Sequence, residues 1–431
     1  MNSPAAAASG ERGSYPHARR EGGVRGILGQ GALFSTSSVL VSLVAMGCSA
    51  VAARSLSSNE FGSFSFAKSL LVFLALVFEF GLCSSASRLI ARAPRAEKRL
   101  VTGAALLAFV PVAVAFSLFV AAIAIPIDAG FHLHLAAALA ITAPLAFGYP
   151  FRQQFALQLS RGLDRLHVYS VTTLAGQAAF LALLGIASAI RLHQSVTLVL
   201  LLQSIAFGAA SLVAIAWLRP AFRGAVRLVP RLVEETRRWG FKVYVGRVLS
   251  IGTYNLDVLM LGAFAPARTV GYYALAGSIA GVSGLPVTGM MSALFPRLVA
   301  ARRIERSWLV IAWAIGVSSV IGVWLLAHPF VTLVFSSRFS EAARLALPLT
   351  MAGALMGVTT VYSSYLSAQA MGREIRDAGF ILTGSNIVLN FALIPPFGAW
   401  GAAWASVLAL IANLAAHVVF YRRSLVRQSI G

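Results

Sequence analysis

Apolar residues run along this chain in blocks of about twenty, separated by short stretches rich in arginine. An α-helix needs about 20 apolar residues to cross the hydrocarbon core of a bilayer, so each block predicts a membrane span. The first six spans are predicted at 29–53, 64–87, 101–125, 135–157, 168–190 and 196–218. The second six are predicted at 241–264, 270–294, 308–330, 342–367, 378–394 and 398–421. No block shows the period-two alternation of a membrane β-barrel, the other way to span with every backbone group satisfied. The pattern predicts an all-α membrane protein with about twelve transmembrane helices.

The pattern is also used twice. Residues 31–91 fall on 240–300 without a gap. Phe61-Gly62-Ser63-Phe64 lands on Val270-Gly271-Tyr272-Tyr273, Ala67 on Ala276, Ser69 on Ser278, and Arg88-Leu89 on Arg297-Leu298. Such repeats are typical of transporters built from two halves with the substrate path between them. The predicted organisation begins with a disordered cytoplasmic tail over 1–28 and a six-helix bundle over 29–218. A basic cytoplasmic linker over 219–240, a second six-helix bundle over 241–421 and a short tail over 422–431 follow. Pro220, Pro230 and the spaced arginines of the linker fit either a short amphipathic helix on the inner leaflet or a solvated connection. The opening block has the outline of a signal peptide, but it exceeds the usual apolar length of about 7–15 residues. Its repeat partner is internal, so it reads as a retained helix.

Composition agrees with a membrane protein. Of the residues, 58% are hydrophobic and 11% charged, with a mean hydropathy of +0.80, too little polar surface for a soluble protein. A net charge of +21 raises nucleic acid as a partner, yet the cations collect in alternate loops. Arg92, Arg95, Lys98 and Arg99 follow span 2, Arg161 and Arg165 follow span 4, and Arg297, Arg302, Arg303 and Arg306 follow span 8. The linker is arginine-rich, while the opposite loops hold only isolated cations such as Arg54, Arg191 and Arg268. This positive-inside alternation predicts both termini in the cytoplasm and no nucleic-acid partner. Cys48 and Cys83 lie in apolar runs and predict neither a disulfide framework nor a metal site. His132 and His134 read as solvated loop residues. With no phosphate-binding loop and no nucleophile motif, neither an enzyme nor a cofactor is expected.

Ionisable groups inside a membrane are costly and normally face a bundle interior or a water-filled cavity. Here they are Lys68 and Glu79 in span 2, Arg152 in span 4, and Arg247 and Asp257 in span 7. Arg247 and Arg152 lie about two turns from the predicted cytoplasmic ends, while Lys68 and Arg54 lie near the outer ends. A large anion entering from the cytoplasm would meet the arginines first and leave past Lys68 and Arg54. A guanidinium suits phosphate because its planar fork donates paired hydrogen bonds and keeps its charge. Tyr244 and Tyr254 recur on the face of Arg247. The predicted substrate-binding residues are therefore Arg247, Arg152, Lys68, Arg54 and Tyr254. The competing reading makes Lys68 a snorkelling interface residue and Arg152 a helix-end anchor. Glu79 and Asp257 are the deep acids, either paired with cations or candidates for proton or sodium coupling. On one continuous helix Lys68 and Glu79 lie about 16 Å apart and do not pair.

The residues from Gly31 to Arg54, followed by Leu56-Ser57-Ser58-Asn59-Glu60-Phe61-Gly62, resemble the opening of the polysaccharide-biosynthesis flippases. These belong to the multidrug/oligosaccharidyl-lipid/polysaccharide exporter superfamily. Asn255-Leu256-Asp257 with Leu261-Gly262, then Val270-Gly271-Tyr272-Tyr273 and Leu294-Phe295-Pro296-Arg297-Leu298, are similar to the second-half pattern. Asn386 and Asn390, then Ile394-Pro395 and Gly398-Ala399-Trp400-Gly401-Ala402-Ala403, look like its late block. The resemblance covers most of the chain after the tail.

It implies two pseudo-symmetric six-helix bundles around a central cationic cavity. By alternating access they would move a polyprenyl-diphosphate-linked oligosaccharide from the inner to the outer leaflet of the bacterial inner membrane. The product would serve O-antigen, capsule or exopolysaccharide synthesis, with membrane lipids, a polysaccharide polymerase and chain-length machinery as partners. Relatives that flip the peptidoglycan precursor typically carry more spans than the twelve predicted here, which argues against that substrate. A cation-coupled multidrug exporter of the same superfamily is the alternative and would need an acidic, aromatic-lined cavity. A membrane polysaccharide polymerase is a third reading, but no loop here is large enough to be catalytic. Cations outnumber acids inside the spans, which favours an anionic cargo.

Overall fold

The structure is a computed structural model that describes residues 24–131, 133–369 and 371–430. Residues 1–23 of the predicted tail, and His132, lie outside the described residues; positions 24–28 already belong to the first helix. The described chain folds into α1 (Val24–Ser55), α2 (Ser58–Val77), α3 (Leu82–Arg92), α4 (Lys98–Phe131) and α5 (Ala136–Thr142). Next come α6 (Gly148–Pro150), α7 (Ala156–Gly162), α8 (Leu166–Ala189), α9 (Val196–Leu218), α10 (Val229–Glu235) and α11 (Phe241–Phe264). The chain ends with α12 (Ala267–Ala280), α13 (Leu285–Ala300), α14 (Arg306–Val334), α15 (Ser340–Ala368) and α16 (Gly372–Ile430).

Eight helices of the described residues are long and apolar enough to cross a membrane, nine if α12 and α13, bent by 42°, count as one. The protein is thus a multi-pass membrane protein. Large apolar side chains such as Ile125, Trp324 and Leu333 stand exposed on the bundle, and only 11% of the apolar window of α14 is buried. Such a surface suits lipid and not water.

Several predicted spans are not single helices. Span 2 breaks between α2 and α3, where Phe80 and Gly81 take left-handed φ values of 47° and 79°. Gly81 there meets Gly240 at the end of the linker so closely that a side chain on either would strike backbone. Lys68 and Glu79 therefore do not share one continuous helix. Span 4 is assembled from α5, a 3-10 turn over Ala143–Leu145, α6, a π-helical segment over Phe151–Phe155, and α7. Pro144 and Pro150 remove backbone donors within this run, and a π-bulge is a common response at functional sites. Conversely α16 merges two spans. Its 59 residues would extend about 88 Å as one helix, far beyond a bilayer core of ~30 Å. It breaks at Gly398 (φ 55°, ψ −130°), and Gly401 packs back against the Leu393 carbonyl.

The linker follows the helical alternative: a 3-10 turn over Ala225–Leu228, α10, and a π-helical segment over Thr236–Gly240 lead directly into α11. Leu232 is buried beneath it and Val226 is exposed. The two halves meet through α2 against α12 and α11, and through α1 against α13. Of these pairs, α2 with α12 joins elements that the internal repeat relates to each other. One buried apolar cluster bridges the halves, with Phe61, Phe66 and Leu71 from α2 beside Leu261, Val270 and Leu275 from α11 and α12.

Candidate functional site

Three polar clusters lie on or near the seam between the halves. The first is at the linker end. Arg247, in the second turn of α11, reaches across the seam to Glu79 in the break between α2 and α3, at 2.7 Å from Nη1 to Oε1. The same nitrogen donates to Ser84 Oγ at 3.2 Å, and Nη2 donates to Gln154 Oε1 in the π-helical segment of span 4. Ser84 in turn donates to Glu79 Oε1 at 3.4 Å. Glu79 is 2% exposed and its Oε2 has no hydrogen-bond partner among the described residues. The Arg247 side chain keeps 20% exposure. Beside it the Tyr244 hydroxyl donates to the Val77 carbonyl at 2.7 Å, and Arg88 pairs with Glu235 at 2.9 Å. The break in span 2 makes this possible, because it turns Glu79 and Ser84 toward one guanidinium.

The second cluster lines a cavity of about 390 Å³ between the halves, walled by α1, α2, α11, α12, α15 and α16. Lys68, Ser65 and Ser69 face it from α2; Asn255, Asp257, Tyr273, Asn386 and Ser406 face it from the second half. The buried Asp257 carboxylate accepts from Asn390 Nδ2 at 2.6 Å, Ser406 Oγ at 2.7 Å and Tyr273 OH at 3.1 Å. Asn390 Nδ2 also donates to Asn386 Oδ1 at 2.9 Å, while Asn390 Oδ1 is buried with no partner among the described residues. One amide nitrogen and two hydroxyls, from α16 and α12, thus converge on one carboxylate of α11.

The third is at the far end from the linker. Arg54, closing α1, donates through Nε to the Val334 carbonyl at 2.8 Å and through Nη2 to the Leu333 carbonyl, at the end of α14. Arg338 donates to the Arg54 carbonyl at 3.2 Å. A cation on the last carbonyls of a helix also answers its dipole.

The structure therefore separates the residues that the sequence grouped as one phosphate path. Arg247 and Glu79 form one interfacial pair, Lys68 and Asp257 face one cavity, and Arg54 caps a helix outside that cavity. Arg152 is held inside the first half, its guanidinium 3.8 Å from the centre of the Phe207 ring, with Nε buried and without a hydrogen-bond partner among the described residues. The side chain of Tyr254 lies outside the described ones. Sequence reasoning did not single out Gln154, Ser84 or Ser406, and met Tyr273 only within the repeated Val270-Gly271-Tyr272-Tyr273 block, with no role attached. Asn386 and Asn390 carried a readable signal, because a four-residue spacing puts two amides on one helix face.

Comparison with known proteins adds the following. A family model described as polysaccharide biosynthesis protein matches residues 28–302. A probable flippase, AglR, of Haloferax volcanii is 28% identical over 166 residues, 36% of this chain and 35% of the relative. A probable low-salt glycan biosynthesis flippase, Agl15, of the same organism is 26% identical over 187 residues, 39% of each chain. The chain thus matches well under half the length of these relatives. Among solved structures, the lipid II flippase MurJ in an inward closed conformation superposes with a TM-score of 0.72 at 15% identity, covering 92% of this chain and 90% of that one. An inward-facing multidrug resistance MATE family transporter of the MOP superfamily gives 0.73 at 16% identity, covering 91% and 95%. Those likenesses establish the fold, and each of these proteins is named as a flippase or transporter, not an enzyme.

Proposed function

Because the chain belongs to the polysaccharide biosynthesis protein family, we propose that it is a flippase working by alternating access between its two halves. Its cargo is a polyprenyl-diphosphate-linked oligosaccharide, moved from the inner to the outer leaflet of the bacterial inner membrane for O-antigen, capsule or exopolysaccharide synthesis. A polysaccharide polymerase and chain-length machinery act downstream. In this reading there are twelve membrane helices in two six-helix bundles, and the linker end and both termini are cytoplasmic.

The observation that carries the reading is Arg247: a partly accessible guanidinium at the seam, its two arms held among the described residues by side chains of the opposite half. A diphosphate offers that fork better oxygens, and the lipid tail stays in the bilayer. Lys68 in the central cavity supplies the next cationic contact. Arg152 and Arg54 serve as supports, through Phe207 and the end of α14. An inside-negative potential favours outward movement of the anion by about 2.3 kcal/mol per charge per 100 mV. Asp257 with the oxygens of Asn386, Asn390 and Ser406 fits a proton or a small monovalent cation that couples the cycle.

That same carboxylate favours the second reading, a cation-coupled multidrug exporter, but Lys68 in the cavity opposes a cationic drug. Deleting the gene and assaying surface polysaccharide beside inner-leaflet lipid-linked oligosaccharide separates the two. Lost polymer with accumulated intermediate, rescued by the wild type, is the flippase result. Normal polymer with altered sensitivity to cationic drugs is the exporter result.

A further inference from the structure

The guanidinium of Arg247 is not vacant in this structure; its seat is filled. Glu79 Oε1 sits 2.7 Å from Nη1, and Gln154 Oε1 takes Nη2, so two oxygens from two elements occupy the two arms of the fork. That is the arrangement in which a guanidinium holds two oxygens of a phosphate. The resident carboxylate is a poor fit: one oxygen serves both Arg247 and Ser84, and the other is buried with no partner among the described residues. Buried polar atoms without partners are costly, so Glu79 is held here by the charge of Arg247 and not by a completed network.

Position gives the pair a second consequence. Arg247 belongs to the second half, while Glu79, Ser84 and Gln154 all belong to the first. Any ligand that takes the guanidinium from these partners also cuts a charged tie between the halves at the linker end. Among the described residues, the ties that remain there include Tyr244 to Val77, a neutral hydrogen bond, and Arg88 to Glu235, an ion pair mostly shielded from solvent. Two events that exclude each other are linked, so the ligand shifts the protein toward the untied state by its differential affinity.

We infer that Glu79 is the resident anion of Arg247, and that the diphosphate of the cargo competes with it for the guanidinium and so unlatches the two halves at the linker end. The inference rests on the flippase reading for the identity of the anion. Glu79 thereby becomes a specificity residue: neutral and cationic amphiphiles cannot displace it, and the latch stays closed to them.

The test uses the full chain in lipid nanodiscs with farnesyl diphosphate as probe and uncharged farnesol as control. Affinities are measured for wild type, Glu79→Gln and the double variant Glu79→Gln/Arg247→Gln. In parallel, the distance between spin labels on Arg95→Cys and Arg303→Cys is measured in a Cys48→Ala/Cys83→Ala background, both labelled sites being exposed at the linker end. Glu79→Gln is expected to bind farnesyl diphosphate about tenfold tighter, equal to ~1.4 kcal/mol. The double variant is expected to bind it no better than farnesol. The distance is expected to lengthen when the probe is added to wild type and to be long in Glu79→Gln without it.

Unchanged or weaker binding by Glu79→Gln, with binding still lost in the double variant, overturns the competition and leaves the flippase reading intact. Equal binding by Glu79→Gln and the double variant removes Arg247 as the seat and overturns it too. Wild type and both variants binding farnesyl diphosphate no better than farnesol overturns the inference and the diphosphate reading together. If Glu79→Gln does not fold, Glu79→Asp replaces it: the shorter carboxylate weakens the pair, an intermediate gain in affinity is expected, and no gain counts against the inference.

Discussion

Gly62 and Gly271 occupy the same place in the internal repeat and face each other where α2 crosses α12: a Cβ built on Gly271 would lie 3.1 Å from the Cα of Gly62. A Cβ on Gly62 would collide with the Ala267 carbonyl. The duplication thus places two of its own matching residues back to back, and both are glycine because the two backbones touch there. At the linker end, the Arg247–Glu79 pair plays the corresponding part with charge instead of close packing.

Gly62→Val should therefore force the crossing apart. The expected outcome is a loss of stability of about 1–3 kcal/mol, the usual range for overpacking, together with loss of transport. Gly185→Ala, whose added Cβ meets nothing within 4 Å, serves as the control and should melt like the wild type. Thermal melting of the purified protein reads the first effect and complementation of a deletion strain the second.

Arg247→Ala should be more damaging than loss of one surface cation, because it leaves the buried Glu79 carboxylate unpaired. Breaking one side of such a pair costs about 3–5 kcal/mol. Glu79→Ala/Arg247→Ala should recover most of that stability yet still fail to complement, which separates folding from function. A double-mutant cycle by chemical or thermal denaturation measures the coupling. Additive effects of the two single changes would mean that the ion pair contributes nothing to holding the halves.

The sequence made the membrane class, the duplication and the intramembrane charges readable, since each is written in hydropathy or in charge, which act position by position. It did not reveal the breaks. Phe80 and Gly81 look like any apolar pair within span 2, and only the approach of Gly240 from 159 positions away demands a left-handed turn there. Read as one continuous helix, span 2 puts Glu79 on the face of Lys68, and its pairing with Arg247 cannot be foreseen. The Asp257 cluster was hidden for a similar reason. Tyr273 and Ser406 are ordinary residues in apolar helices, and only the packing of α11, α12 and α16 brings their hydroxyls to one carboxylate.

Asp257→Asn should abolish ion-dependent stabilisation. In the wild type the carboxylate accepts from an amide and two hydroxyls, an arrangement held together by negative charge. A neutral amide presents an NH₂ group to donors that already point inward. If a small cation is the coupling ion, exchanging potassium for sodium at fixed ionic strength should raise the melting temperature of the wild type and leave Asp257→Asn unmoved. A ligand present at 100 times its Kd stabilises by about 2.7 kcal/mol, so the shift is measurable. Equal melting in both salts, with a dependence on pH instead, would assign the site to a proton.

Arg54→Gln is expected to be mild. The side chain caps the Leu333 and Val334 carbonyls and lies outside the central cavity, so cargo need not touch it. Loss of charged hydrogen bonds to a helix end should cost about 1–2 kcal/mol in melting experiments. Surface polysaccharide should stay near the wild-type level. A complete loss of polymer with an unchanged melting temperature would return Arg54 to the substrate path.

Lys68→Met gives the sharpest contrast, because stability and function should move in opposite directions. Lys68 faces the cavity from α2 among serines, and the acid among the described residues of the cavity wall, Asp257, already accepts from Asn390, Ser406 and Tyr273. Taking such a cation out of water is unfavourable, and an apolar side chain of similar length relieves that cost. Lys68→Met should therefore melt higher than the wild type while losing transport, and Lys68→Arg should retain a substantial part of it because the charge remains. Both are read by melting and complementation on the same preparations. Full transport by Lys68→Met would show that the cargo passes without using the charge. A fall in its melting temperature would show instead that Lys68 is a structural partner of the cavity wall.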